Sequence, residues 1–226
     1  MRIAIDTGGT FTDCVYLDAG RLRVLKLRST PANPAHAVVE ALRAIGRAHN
    51  LEVRHGTTVG TNAMLERKGA RVAFVTTAGF EDTISIGRQA RPRLYDLFSP
   101  GPACLVPENL RFGVGERVTA EADLLQEPAD DELEQLVKRI AASGAESIAI
   151  STLFSFLRHE NELRIEAALR KLGLPVSTSH RILPEFREYE RASTVVINAY
   201  LMPIMQSYVD IIYMDDDRRD QSVGCW

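Results

Sequence analysis

Cysteine is scarce. Cys14, Cys104 and Cys225 are the only three in 226 residues, and no two form a Cys-x-x-Cys pair. A scattered, odd set argues against a disulfide framework and a structural zinc site, and it fits a reducing, cytoplasmic setting. Nothing beside any of the three suggests an activated thiolate. Aromatics make up 7% of the chain, with a single Trp. Neither sign of charge dominates: 27 Lys+Arg against 30 Asp+Glu leave a net charge of −3, so the basic field that nucleic acid requires is missing. No apolar run approaches the ~20 residues of a membrane span, which argues against a membrane partner. The opening MRIAIDTGG lacks the apolar core and cleavage site of a secretory leader. No Ser-His-Asp set or metal-ligand spacing stands out, and His36, His49, His159 and His180 are scattered. There is no internal repeat. What is present is 45% hydrophobic and 25% charged, enough for one large or two small globular domains.

Three strands open the chain. RIAID (2–6) is apolar, CVYL (14–17) resumes the run, and LRVLKLR (22–28) alternates with period two. They read as a meander whose first bend is a glycine turn. Asn33-Pro34 then caps a helix over about 34–48, with Val38, Val39, Leu42 and Ile45 at helical spacing. A Thr-rich turn and a helix at 60–68 follow, with Gly69 at the C′ position. RVAFVT (71–76) is a buried strand. Residues 77–109 are loop-rich, and short strands fit 110–127. Helices at 130–143 and 159–172, strands at 147–153 and 175–178, and a helix over 185–213 with a kink at Pro203 complete the pattern. Strand–helix alternation added to an antiparallel opening predicts an α/β fold with a mixed sheet.

The sharpest chemistry lies in Asp6-Thr-Gly-Gly-Thr10-Phe-Thr12-Asp13. Gly8 and Gly9 allow close approach of a ligand and unusual φ values. Their N–H groups, with that of Thr10, can form an anion-binding nest. Thr7, Thr10 and Thr12 add hydroxyls suited to phosphate oxygens. Asp6 suits a hydrated Mg²⁺ or the orientation of a reacting group, and Asp13 either caps the turn or joins the same cation. The Gly-Lys-Ser/Thr ending of a P-loop is absent, and a strand rather than a helix follows, so the dinucleotide fingerprint does not apply.

Three further clusters stand out. In His55-Gly-Thr57-Thr58…Asn62, His55 is either a general acid/base or a hydrogen-bonded structural histidine, and Thr58 and Asn62 either touch substrate or cap the helix. In Gly87-Arg88-Gln89…Arg91-Pro92-Arg93, three arginines suit a carboxylate or phosphate, or a solvated loop, with Arg88 the leading candidate. Glu185 to Arg191 carries Glu and Arg three and four apart, a spacing that supports helix ion pairs of ~0.2–0.5 kcal/mol each.

DTGGTFTD resembles the first phosphate loop of the acetate/sugar kinase, heat-shock-70 and actin superfamily. The longer runs HGTTVGTNAMLERKGARVAFVTTAGFEDTISIGRQARPRLYDL and LPEFREYERASTVVINAYLMP resemble the N-terminal region of the hydantoinase A/5-oxoprolinase family, which includes ATP-dependent ketone carboxylase subunits. The resemblance spans roughly residues 2–209. It implies a ribonuclease-H-like, actin-like fold, with residues 1–180 as the N-terminal domain, 181–213 as the helical start of the next and 214–226 as an irregular tail. It also implies ATP and Mg²⁺ as cofactors and a small cyclic amide, opened after carbonyl phosphorylation, as substrate. Asp6, His55 and Arg88 become the catalytic candidates. Thr7, Gly8, Gly9, Thr10, Thr12 and Asp13 would hold the nucleotide, and Thr58 and Asn62 the substrate. A hydantoinase-B-type subunit and a C-terminal lobe with the second phosphate loop are the implied partners. The alternatives are a non-catalytic lobe that pairs through the apolar 189–213 helix, including with its own copy, and a sugar-kinase-like phosphotransferase.

Overall fold

In the computed structural model, residues 1–30, 33–46, 52–89, 95 and 103–217 are described. They form two compact units, one of residues 1–68 and 204–226, the other of 69–203.

The first unit starts with β1 (Arg2–Thr7), β2 (Phe11–Asp18) and β3 (Arg21–Arg28), an antiparallel meander. Helix α1 (Ala35–Ile45) leads to β4 (Glu52–Thr57), which lies parallel to β1, giving the order β3-β2-β1-β4. Alternation decides the faces: Ile3, Ile5 and Thr7 point inward, while Arg2, Ala4 and Asp6 point outward. The inward residues pack with Cys14, Val38, Ala41, Leu42, Val53, Tyr208 and Ile212. Asn33 does cap α1, its side-chain oxygen accepting the Ala35 N–H at 3.2 Å. Helix α2 (Val59–Leu65) follows β4 directly.

The second unit holds an all-parallel sheet. Its strands are β5 (Val72–Thr77), β6 (Arg111–Val114), β9 (Ser147–Ser151) and β10 (Val176–Thr178), in the order β10-β9-β5-β6. Every residue of β5 and β9 is buried, as a sheet covered on both faces requires. A small pair, β7 (Arg117–Val118) and β8 (Leu124–Gln126), stands apart. Helices α4 (Asp130–Ala142) and α5 (Glu160–Leu169) put Leu133, Leu136, Ile140, Ile165 and Leu169 against Val75, Ile148 and Ile150. Short helices α3 (Thr83–Ile86) and α6 (Ser179–Ile182) complete the unit. The single mixed sheet of the sequence reading is therefore two four-stranded sheets, one mixed and one parallel. The meander pairs only with β4.

Helix α7 runs from Glu188 to Asp217 with Pro203 inside it. Up to Ile212 it is long and apolar enough to cross a membrane by length and composition, which corrects the expectation that no such stretch exists. Val195, Val196, Ala199, Tyr200, Tyr208 and Ile212 are buried, whereas Ile197 is exposed and Leu201, Ile204, Met205, Val209 and Ile211 are only partly covered. Gly69 is not a helix cap. The left-handed residue after α2 is Arg67, at φ 55°. Gly69 is glycine because a Cβ there would lie 2.0 Å from the Tyr200 ring.

Candidate functional site

The turn between β1 and β2 is tighter than its glycines suggest. The Gly8 N–H donates to the Phe11 carbonyl at 3.0 Å, which spends one of the three amides of the expected nest. The N–H groups of Gly9 and Thr10 donate to no acceptor among the described residues. Gly8 and Gly9 both have φ outside the left-handed region, so unusual backbone angles do not account for them. Bareness does, because a Cβ on Gly9 would meet nothing within 4 Å and the loop is open to close approach.

Ser29, which drew no attention in the sequence, anchors this turn. Its N–H donates to the Thr10 carbonyl at 3.0 Å and its hydroxyl to the Gly8 carbonyl at 2.7 Å. With that proton spent, Ser29 Oγ accepts from Thr12 Oγ1 at 3.0 Å. Thr12 is fully buried and its hydroxyl is spent on Ser29, so it braces the turn from within.

Beside the turn lies a pocket of about 440 Å³. Thr7, Gly8, Gly9 and Ser29 line one side, and Thr58, Asn62, Glu66, Lys68 and Ile204 are among the others. Five candidate residues thus come together: Thr7, Gly8, Gly9, Thr58 and Asn62. Thr7 is 2% exposed, and its Oγ1 has no hydrogen-bond partner. An unpaired buried hydroxyl costs about 1–3 kcal/mol, so this atom calls for a partner. Val59 N–H donates to Thr57 Oγ1 at 3.2 Å and Asn62 reaches Thr58 Oγ1 at 3.4 Å, which ties the start of α2 to the end of β4.

The other candidates lie elsewhere. Asp6 and Asp13 are cross-strand neighbours on the outward face, opposite the side on which Thr7 points. Asp13 is bridged to Lys26 at 3.2 Å, whereas Asp6 has no ion-pair partner among the described residues. Thr10 is exposed in the turn. His55 sits on the inward face, and both ring nitrogens are committed. A carbonyl only accepts, so Nδ1 carries the proton donated to Ile5 O at 3.2 Å, and Nε2 accepts from the Tyr208 hydroxyl. The rings stack at 5.7 Å. Burial pushes the His55 pKa down, against the Ile5 carbonyl and the Asp6 charge, which pull it up. Arg88 belongs to the second unit, where it pairs with Glu190, and this partner raises its pKa. Arg91 and Arg93 lie outside the described residues.

The second unit closes its own strand ends with charge. Thr77 hydroxyl donates to Glu116, which also accepts from Asn161 Nδ2 at 2.7 Å. Burial still pushes the Glu116 pKa up. Glu162, fully buried, accepts from Thr152 N, Ser179 Oγ and His180 Nδ1 at 2.9, 2.6 and 2.7 Å. Arg191 is also fully buried, bonded to Glu188 and to the Thr152 carbonyl at 2.8 Å, with its guanidinium 5.2 Å from the Phe156 ring. The ion pairing read from Glu185–Arg191 is present as Glu188–Arg191, three residues apart, with Arg191 fully buried and Glu188 partly exposed.

These features define a class: an α/β chain whose mixed sheet opens with an antiparallel meander and a glycine–threonine turn. The chain belongs to the hydantoinase/oxoprolinase family, whose N-terminal region matches residues 2–173. It is 38% identical to an uncharacterized protein of Methanocaldococcus jannaschii over 92% of its length, covering 32% of that protein. It is 32% identical to the caprolactamase subunit alpha of Pseudomonas jessenii over 93% of its length, again covering 32% of the relative. Its fold matches the crystal structure of the ATP-dependent caprolactamase of that organism at a TM-score of 0.81 and 28% identity, over all of this chain and 35% of the other. It matches the nucleotide-free structure of acetone carboxylase, from work on ATP-dependent acetone carboxylation, at 0.83 and 26%, over 97% and 34%. The chain thus spans about a third of the length of these relatives.

Proposed function

We propose that this chain is the phosphate-binding N-terminal lobe of an ATP-dependent enzyme that activates a carbonyl and opens a cyclic amide. The observation that carries the reading is the unpartnered, buried hydroxyl of Thr7 at a pocket floored by Gly8 and Gly9. A phosphate oxygen is an acceptor of the right kind for that hydroxyl and for the free amides of Gly9 and Thr10. ATP supplies the phosphoryl group that makes the amide carbonyl labile. The chain's own contribution is positioning and charge stabilisation. Asp6 stands on the face opposite Thr7 and outside the pocket's lining, so its hard oxygens would serve a Mg²⁺ that keeps its waters between them. Thr58 and Asn62 are the groups to meet the substrate end of the ligand. His55 positions rather than reacts, because neither nitrogen is free. Tyr208 stands one helical turn from Ile204, so the His55–Tyr208 clasp fixes that wall of the pocket.

The rest of such an enzyme, including a second phosphate loop and a hydantoinase-B-type subunit, lies beyond this lobe. A ketone carboxylase branch is the second reading, favoured by the acetone carboxylase likeness. Calorimetry of MgATP binding to the 226-residue chain tests the proposal. Wild type should bind, Gly9→Val and Thr7→Val should weaken binding, and Asp6→Ala should remove its Mg²⁺ dependence. Equal binding by all four proteins, or by none, overturns the site.

A further inference from the structure

The proposed pocket holds one cation, and the fold takes trouble to bring it there. Among the described lining residues the charged groups are Glu66 and Lys68, paired with each other at 2.6 Å, and the remainder are hydroxyls, an amide and apolar side chains. Lys68 follows the end of α2. Ordinarily the reversal there uses glycine, because a left-handed residue with a Cβ costs roughly 1–2 kcal/mol. Here Arg67 takes it, at φ 55°. The Arg67 N–H bonds to Met64 O at 3.3 Å and the Lys68 N–H to Ala63 O at 3.0 Å, so the chain folds back along α2 and sets Lys68 at the pocket.

The pair itself is a weak structural device. The Lys68 side chain is 74% exposed and that of Glu66 55%, and exposed pairs contribute ~0–1 kcal/mol. Its electrostatic meaning is larger. With the pair closed, the two charges cancel and the Lys68 ammonium is spent on the Glu66 carboxylate. With Lys68 turned to the ligand, the same pocket gains a charged donor for a phosphate oxygen.

We infer that Lys68 is the polyphosphate-reading residue of this pocket, held by Glu66 until a phosphate chain replaces that carboxylate as its partner. This inference rests on the nucleotide reading above and adds its specificity: the ligand is distinguished by the number of its phosphates. The orphaned hydroxyl of Thr7 is the independent sign that an acceptor belongs in the same pocket.

Calorimetry with MgATP and with AMP on the full chain tests it. Lys68→Met should weaken MgATP binding about tenfold, the scale of a charged hydrogen bond, and AMP binding much less. Glu66→Gln should move the opposite way and tighten MgATP by a few-fold, because the competitor is gone. The melting temperatures of both variants should stay at the wild-type value. A pair that serves only structure would shift both variants in the same direction. If wild type binds MgATP and Lys68→Met keeps the wild-type ratio of ATP to AMP affinity, this inference falls and the nucleotide site stands. If wild type binds neither nucleotide, the site falls and takes the inference with it.

Discussion

The ends of β1 and β5 solve the same problem in opposite ways. At the end of β5, the Thr77 hydroxyl donates to Glu116 and accepts the Leu153 N–H at 2.9 Å. At the end of β1, the Thr7 hydroxyl has no partner among the described residues. The second unit brings buried carboxylates and a buried arginine to its strand ends, whereas the first leaves a hydroxyl and two turn amides open beside a pocket. Ser151, Thr152 and Thr178 of the second unit also carry unpaired hydroxyls, so the orphan atom alone is not the distinction. Thr7 lines the 440 Å³ pocket beside the glycine turn, and those three residues do not. A partnered hydroxyl such as that of Thr77 holds a fold together, and an unpartnered one beside a pocket is where a ligand completes it.

The largest effect should come from breaking the saturated side. Arg191→Ala leaves Glu188 and the Thr152 carbonyl without their partner and should cost about 3–5 kcal/mol, read by urea unfolding followed by circular dichroism. The same Thr→Val change then separates the two ends by sign. Thr77→Val should destabilise by about 1–3 kcal/mol, because it strands Glu116 and the Leu153 N–H, whereas Thr7→Val should be neutral or stabilising because it removes an unpaired polar atom. Equal losses at both positions would erase the contrast. Glycine gives a third comparison. Gly69→Ala drives a methyl into the Tyr200 ring and should cost about 1–3 kcal/mol, while Gly9→Ala, in open space, should stay within about 0.5 kcal/mol in the ligand-free protein.

The smallest effect is in pH. The folded-state pKa of His55 is lowered, so its contribution is complete above the unfolded value of ~6.5 and is lost as pH falls from there through the folded value. That of Glu116 is raised, so its contribution is complete below the unfolded value of ~4.3 and is lost as pH rises through the folded value. The two oppose each other on acidification. Unfolding free energies measured from pH 7.5 down to 5 should therefore fall more steeply in Glu116→Gln than in wild type, and less steeply in His55→Gln. Parallel curves for all three would contradict both assignments.

Local pattern carried much of the fold. Helix 130–143 is observed as Asp130–Ala142 and strand 71–76 as Val72–Thr77, because periodicity and end residues act within a few positions. Sheet membership was legible only in part. The pairing of RIAID within the meander was legible, but nothing local says that β4 joins that sheet while RVAFVT pairs with β9, because that choice is made by packing across the chain. The site divides along the same line. The turn residues were visible as Gly and Thr in a strand-ended run. The partner of His55 is 153 positions away, and no local spacing points to Tyr208. Ser29 and Lys68 were missed because a lone serine after a strand and a lysine after a helix are ordinary, and only the three-dimensional path brings them to the pocket. The spacing in Glu185–Arg191 pointed to the ion pair but not to the burial of Arg191, because i,i+3 spacing reports a helix neighbour and not depth.

Ser29 ties the glycine turn to a distant piece of chain. It follows β3 at once, and the ladder Phe11↔Arg28 through Asp18↔Arg21 fixes where β3 ends relative to β2. The length of the Ala19–Gly20 reversal, at the far end of that ladder, therefore determines whether a hydroxyl arrives at Gly8. Removing one residue from that reversal would turn every β3 side chain to the other side and carry Ser29 away, so a deletion a full strand's length from the loop would disarm it without altering any of its residues.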